Sequence, residues 1–214
     1  MIFILGRSGS GKDSLGQILQ KEFDLKPMIS YTTRCKRSNE DDSYHHFVKG
    51  TAYYTRENGR IDAHGPGWTV ENVIARTQIH GNDYFATAED YKHADYYIID
   101  PYGLVNLNWN SIDNDDWIAI YVNACDEDVE ERIKTREPDP EQAVRHWQER
   151  REAENEQFSY FESFLLRYIE RWASKFMILN NNSDHLELSP ELRNFVEKYV
   201  DKRRLEKDIA ENRR

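Results

Sequence analysis

Cysteine is scarce in this 214-residue chain: Cys35 and Cys125 are the only two, with no C-x-x-C pair. That excludes a disulfide framework and a thiolate zinc site, and it fits a reducing cytoplasm. Long apolar runs are missing too. The apolar runs, such as MIFIL at the N-terminus, fall far short of the roughly 20 residues that span a bilayer and short of the roughly 7–15 of a signal-peptide core. Neither membrane insertion nor secretion is expected, and the expected location is cytoplasmic. Positive charge is in deficit, with 29 Lys and Arg against 39 Asp and Glu and a formal net charge of -10. A general nucleic-acid binder is thereby excluded, because phosphate backbones are held mainly by Lys and Arg. From Pro101 to Glu131 there is no Lys or Arg but eight acidic residues, most simply a solvated surface. Any phosphate site must be local.

What the chain does have is 38% hydrophobic and 13% aromatic residues, enough to bury a core, in a length that suits one domain or a core with an insertion. The apolar run ends at Gly6, and after a glycine-rich loop Leu15, Ile18, Leu19 and Phe23 recur at helical spacing. A second short strand is expected over Met28–Tyr31 and a polar loop from Arg34 to Ser43. Asn58-Gly59 between β-prone residues predicts a hairpin within Tyr53–Asp62, and Val73–Ile79 reads as a further strand. Tyr96–Asp100, Trp117–Val122 and Phe176–Leu179 complete the buried-strand patterns. Helices are expected over Asp126–Arg136 with Asp126 as N-cap, over about 141–172 after Pro138 and Pro140 break the chain, and over Ser189–Arg204 with Ser189-Pro190 at its start. Helices separating short apolar strands call for an α/β fold, with a mostly parallel sheet covered on both faces.

Gly6-Arg7-Ser8-Gly9-Ser10-Gly11-Lys12 fits G-x-x-x-x-G-K between a strand and a helix, the context a phosphate loop requires. Glycines let successive N–H groups turn towards the phosphates of a nucleoside triphosphate, the helix dipole adds to them, and Lys12 reaches the outer phosphates. Gly6, Ser8, Gly9, Ser10, Gly11, Lys12, Asp13 and Ser14 are therefore the expected ATP-binding residues. The hydroxyl usual after the lysine is replaced by Asp13, with Ser14 next. Asp13 and Ser14 are the candidate Mg²⁺ ligands. Alternatively, Asp13 simply favours the first helical turn through the dipole while Ser14 or a water serves the metal.

Ser30-Tyr31-Thr32-Thr33-Arg34-Cys35-Lys36-Arg37 following that loop resembles the S-x-T-T-R-x-x-R element of the guanylate kinase family of nucleoside monophosphate kinases. Further matches follow in the family's order over about residues 2–200. Ser43-Tyr44-His45-His46-Phe47-Val48 is similar to D-Y-x-F-V, Gly81-Asn82-Asp83-Tyr84 to the start of G-N-x-Y-G-[ST], and Asp100-Pro101-Tyr102-Gly103 to D-x-Q-G. Arg132 and Arg136 resemble the R-L-x-x-R before the family's lid, and Arg145 with Glu152 keeps its R-x6-E.

The resemblance implies a P-loop kinase fold in a single domain. Its core covers about residues 1–33, 88–131 and 173–206, with a small mostly-β monophosphate-binding insertion over about 34–87. A helical lid spans about 132–150 and leads into a long helix to 172. It implies that Arg34 and Arg37 grip the acceptor phosphate with Tyr84 and a residue of the Tyr44–His45 pair, suited by guanidinium forks and a phenolic donor. Ser30 and Asp100 would lie at the acceptor nucleotide, and a strand-end aspartate is otherwise often a helix cap. Lys12, Arg34, Arg132, Arg136 and Arg145 would carry catalysis, the last three closing over the donor phosphates. On helical segments alone those three equally suit surface ion pairs.

Where the family reads guanine with a glutamate and a small hydroxyl, this chain has Ala75 and Ala86, with Phe85 in place of a glycine. Glu71, an even offset from Ala75 along an extended strand, is a candidate replacement carboxylate, and Phe85 a candidate stacking partner for a base. The expected activity is Mg²⁺-dependent phosphoryl transfer from ATP to GMP, dGMP or a related nucleotide, by a monomer or homodimer with no nucleic-acid or membrane partner. Three alternatives stand beside it. G-K-D-S-L also resembles ribose 1,5-bisphosphate phosphokinases, the altered base pocket suits a kinase for a noncanonical deoxynucleotide, and a kinase-like binding module without catalysis is the third.

Overall fold

The computed structural model describes residues 1–36, 43, 45–79, 81–109, 117–136, 139–172, 174–182 and 186–211, with the backbone alone for 136, 165–172 and 206–211. Along the chain, β1 (Ile2–Leu5) and α1 (Lys12–Phe23) are followed by seven strands: β2 (Ser30–Thr32), β3 (His45–Phe47), β4 (Tyr53–Glu57), β5 (Arg60–Gly65), β6 (Trp68–Val70), β7 (Val73–Ile79) and β8 (Asn82–Thr87). Then come α2 (Ala88–His93), β9 (Tyr96–Ile98), α3 (Pro101–Val105), β10 (Ile118–Asn123), α4 (Asp126–Arg136), α5 (Pro140–Trp172), β11 (Phe176–Asn180) and α6 (Pro190–Glu211).

Four of the strands form a parallel sheet in the order β11-β10-β1-β9. The N-terminal run is apolar at every position because both faces of β1 are covered. Phe3 and Leu5 point into a cluster with Phe158 and Phe161 of α5. Ile2 and Ile4 point the other way, onto Leu15 and Leu19 of α1 and Leu192 and Val196 of α6. The carboxyl ends of these strands deliver the glycine loop, Asp100 and Asn181 to one edge of the sheet, where open α/β sheets place their ligands.

The segment between α1 and α2 is all β, as its turn signals imply. β3-β2-β8-β7 make one sheet and β4-β5-β6 a separate antiparallel one. Asn58 (φ 50°) and Gly59 (φ 83°) form the expected left-handed turn between β4 and β5.

Three helix boundaries differ from the sequence reading. Asp126 is the first residue of α4 rather than its cap, and its carboxylate receives Arg151 at 2.7 and 2.8 Å. The long helix starts one residue early, at Pro140. Asp139 caps it by accepting from Gln142 N at 3.1 Å, and a proline suits the first helical position because that N–H has no helical partner. Pro138 lies outside the described residues. α6 continues past Arg204 to Glu211, with Ser189 capping it through Leu192 N at 3.2 Å.

Candidate active site

The loop between β1 and α1 has no room for side chains at its glycines. A Cβ on Gly6 (φ 150°) would lie 2.4 Å from Val122 O, and one on Gly11 (φ 101°) 2.4 Å from Asn181 Nδ2. With such strain excluded, the backbone can turn its N–H groups inward. The loop is then tied down from three directions. Asn181 Nδ2 donates to Ser10 O at 2.7 Å, and Arg132 Nη2 to Asn181 O at 2.7 Å. Trp147 Nε1 donates to Ser8 O at 3.2 Å. Glu154 accepts from Ser8 N at 2.8 Å and also from the Ser8 hydroxyl. Arg7 turns onto α5, where Glu162 takes it at 2.7 and 2.8 Å and Asn155 at 2.9 Å.

Lys12 Nζ donates back to Arg7 O at 2.9 Å, inside a cavity of about 160 Å³. Burial pushes its ammonium below the ordinary lysine value; Asp13, Glu154 and Asp100 pull it back up, and Arg150 adds to the depression. An incoming phosphate would favour the charged form. Asp13 and Ser14 are exposed in the first turn of α1, beside this lysine. Among the described residues no three metal-ligating side chains cluster.

The opposite wall of the same cavity is built by β2, β3, β7 and β8. Ser30 and His45 are register partners on parallel strands, and their side chains bond at 2.9 Å between Oγ and Nδ1. Tyr84 lines the cavity, its ring edge-on to His45 with centroids 5.8 Å apart. Asp100 lines it as well and also caps α3. Its Oδ1 accepts from Tyr102 N (2.9 Å), Gly103 N (3.0 Å) and Thr77 Oγ1 (3.4 Å). Burial raises the Asp100 carboxyl above the usual carboxylate range, against the lowering effect of those donors.

Of the other expected arginines, Arg34 and Arg145 are not among the residues lining the cavity. Arg34 Nη1 donates to Cys35 O at 2.9 Å and its guanidinium lies 5.3 Å from the Phe47 ring centroid. Arg37 and Tyr44 lie outside the described residues, as does the side chain of Arg136 at the end of α4. Arg145 is exposed on α5. Arg150, five residues on and about 140° around the helix from it at 3.6 residues per turn, lines the cavity with Glu154, Gln157 and Phe158. That stripe escaped the sequence reading. Its i, i+4, i+7, i+8 spacing was the available signal, masked by charged residues all round the helix.

Two further expectations are corrected. Glu71 supplies no carboxylate to the cavity: it is exposed and paired with Arg60 at 2.7 Å. The even-offset argument fails because Asn72 takes a left-handed turn (φ 57°) and the ladder slips between Val73 and Ala75, so alternation does not run back to position 71. Phe85 offers no face to a base. It is fully buried, stacked between Tyr31 and Trp68 at 5.3 and 5.9 Å, because strand alternation turns it away from the side that bears Tyr84. Ala75 and Ala86 are direct cross-strand partners, so the two altered positions are one place in the fold.

A parallel four-stranded sheet flanked by helices, with a glycine loop and half-buried lysine at the carboxyl end of β1, fits a P-loop kinase fold. Comparison with known proteins narrows this class. The chain is 33% identical over 85 residues to the guanylate kinase of Bartonella quintana, covering 39% of this chain and 34% of that protein. It is also 33% identical over 102 residues to the guanylate kinase of Bartonella henselae, covering 41% and 46% respectively. The chain is thus distantly related to guanylate kinases, spanning between a third and a half of their length in these matches. No family model matches it.

Proposed function

We propose that this protein is a phosphotransferase that moves the γ-phosphoryl group of ATP to a nucleoside monophosphate, GMP, dGMP or a related nucleotide. The observation that carries this reading is the single cavity shared by Lys12 of the phosphate loop and by Ser30, His45, Tyr84 and Asp100 on the facing wall. Donor and acceptor phosphates would meet there, with positioning and charge stabilisation supplying the rate. Lys12 neutralises the transferring group, and Arg132 holds Asn181 and so the back of the loop. Arg34 and Arg37 are proposed to reach the acceptor phosphate, with Tyr84 as a neutral donor. Asp13 and Ser14 are the residues that would hold Mg²⁺. The metal needs few protein ligands because phosphates and waters fill most of its shell, and bound there it would offset charge on the β- and γ-oxygens.

Pairing of Ala75 with Ala86 supports a second reading of the acceptor, a noncanonical deoxynucleotide, since a guanine-reading carboxylate and hydroxyl are replaced together. The test is ADP release by the purified protein with ATP and Mg²⁺ against a panel of ribo- and deoxynucleoside monophosphates and ribose 1,5-bisphosphate. Release that depends on a monophosphate is the expected result. Release with ribose 1,5-bisphosphate alone, or with no acceptor in the panel, overturns the reading.

A further inference from the structure

Of the buried side-chain atoms that lack a hydrogen-bond partner among the described residues, only Gln157 Oε1 belongs to a residue lining the cavity. Gln157 is 7% exposed, so water does not readily serve it. A buried acceptor left unpaired costs free energy, and folded proteins satisfy nearly all such groups. Gln157 lines the cavity while Oε1 itself is turned from its surface. Rotation about the terminal torsion exchanges the amide oxygen with the nitrogen, so a ligand donor can draw the unpaired acceptor into the cavity and complete its contact.

The chemistry of that contact is constrained. Ionised phosphate oxygens only accept, so they cannot satisfy Oε1; a nucleobase N–H or amino group can. Position agrees with chemistry. Arg150 and Glu154 precede Gln157 on the same stripe of α5, and Glu154 is fixed to Ser8 of the phosphate loop. Phe158, the next residue, packs in the cluster that contains Ala75 and Ala86. Over roughly 10 Å of helix, at 1.5 Å per residue, the wall passes from the phosphates towards those two alanines.

We propose that Gln157 is a specificity-determining residue, reading the base of the acceptor nucleotide through its side-chain amide; this rests on the kinase reading above. An amide presents an acceptor beside donors, and so matches any base edge with a donor next to an acceptor, including those of adenine, cytosine and uracil or thymine. A carboxylate presents acceptors only, and so favours the adjacent N1–H and N2 amino donors of guanine. With Gln157 in this role and alanines at 75 and 86, the acceptor site takes nucleoside monophosphates without an exclusive demand for guanine.

Gln157→Leu and Gln157→Glu separate this role from packing. For the parent and both variants, calorimetric Kd values are measured for AMP, CMP, dTMP and GMP, and ADP release is followed with each. Gln157→Leu is expected to weaken the best acceptor about tenfold and flatten the ranking, with KM for ATP unchanged. Gln157→Glu is expected to move the ranking towards GMP by about tenfold. Should the leucine variant fail to fold in a thermal melt, Gln157→Met replaces it. Unchanged rankings in the glutamate and apolar variants overturn the inference and leave the kinase reading standing. Binding by the parent without ADP release, with the rankings shifted as expected, overturns the kinase reading and leaves the base contact standing. A parent that binds no monophosphate overturns both.

Discussion

The two ends of the cavity are built on different plans. At the phosphate end the groups proposed to face the ligand come from one contiguous segment, residues 6–14, and distant side chains brace it: Asn181 on Ser10 O, Trp147 on Ser8 O, Glu154 on Ser8 N. At the acceptor end the lining comes from four strands, the start of α3 and the middle of α5, and direct contacts run between side chains of different elements, as in Ser30 with His45 and Thr77 with Asp100. An anion can be gripped by backbone N–H groups whatever side chains surround them, whereas the proposed base contacts at the other end depend on which side chains are present. On the proposed reading the first end should tolerate Asp13 after the lysine, while the second should change its preference where Ala75 and Ala86 replace the reading groups.

The largest effect that this contrast predicts is at Lys12. Lys12→Ala removes the one ammonium that the loop directs into the cavity, and kcat should fall by about 10²–10³, the scale for losing a preorganised charge contact. The melting temperature should barely move, because burial already disfavours the charged lysine in the absence of ligand. Turnover near the parent's would remove the loop from catalysis.

Next in size is the difference between two arginines on one helix. Arg150→Ala should lower kcat about tenfold or more, since the side chain lines the cavity and its charge is felt by Lys12. Arg145→Ala should lower it less, as that residue is exposed and does not line the cavity. A larger loss from Arg145→Ala would mean that the first turns of α5 rearrange when ATP binds, bringing into play the lid role that the family resemblance assigns to it.

Those arginines also show where sequence is informative. The phosphate loop, β7 and the turn at Asn58-Gly59 are specified by neighbours a few residues apart, and local pattern is enough to read them. Asp100 was legible as a strand-end aspartate that could cap a helix, and it caps α3 while lining the cavity. Arg150, Glu154 and Gln157 were not legible because the rotation of a 33-residue helix against a loop some 140 residues away is set by packing, here by Trp147 and Phe158. Thr77 escaped for a similar reason. It follows Ala75 by two on the cavity face of β7, but only the approach of β9's end makes it a partner of Asp100.

At the acceptor end, Ala75→Glu should raise the preference for GMP over AMP by about tenfold, the lower part of the roughly 1–3 kcal/mol of a good bidentate base contact. The gain is limited because Ala75 is only 2% exposed and faces Ala86, so a carboxylate must find room against a packed ladder. Kinetics with the two monophosphates measure the ratio. No change would place the base away from β7.

The smallest expected effect is on stability, at Asp100. Burial raises its native pKa above the unfolded value of about 3.8 despite three hydrogen-bond donors. For a carboxyl shifted in that direction the native state holds its proton more tightly than the unfolded chain does. Ionisation therefore destabilises the fold above the native pKa, and the penalty fades as pH falls through the native value towards the unfolded one. Asp100→Asn keeps an oxygen for the N–H groups of Tyr102 and Gly103 and removes the charge. Its melting temperature should exceed the parent's at pH 7 by a few degrees, about the shift that 1 kcal/mol produces in a domain of this size, and the difference should close towards pH 4. Activity should drop in the same variant, because the carboxylate that loads the acceptor end of the cavity also pulls the half-buried Lys12 towards its charged form. A variant less stable than the parent at pH 7 would show that the α3 cap needs the charge, and that Asp100 is held at the strand end for folding rather than for the nucleotide.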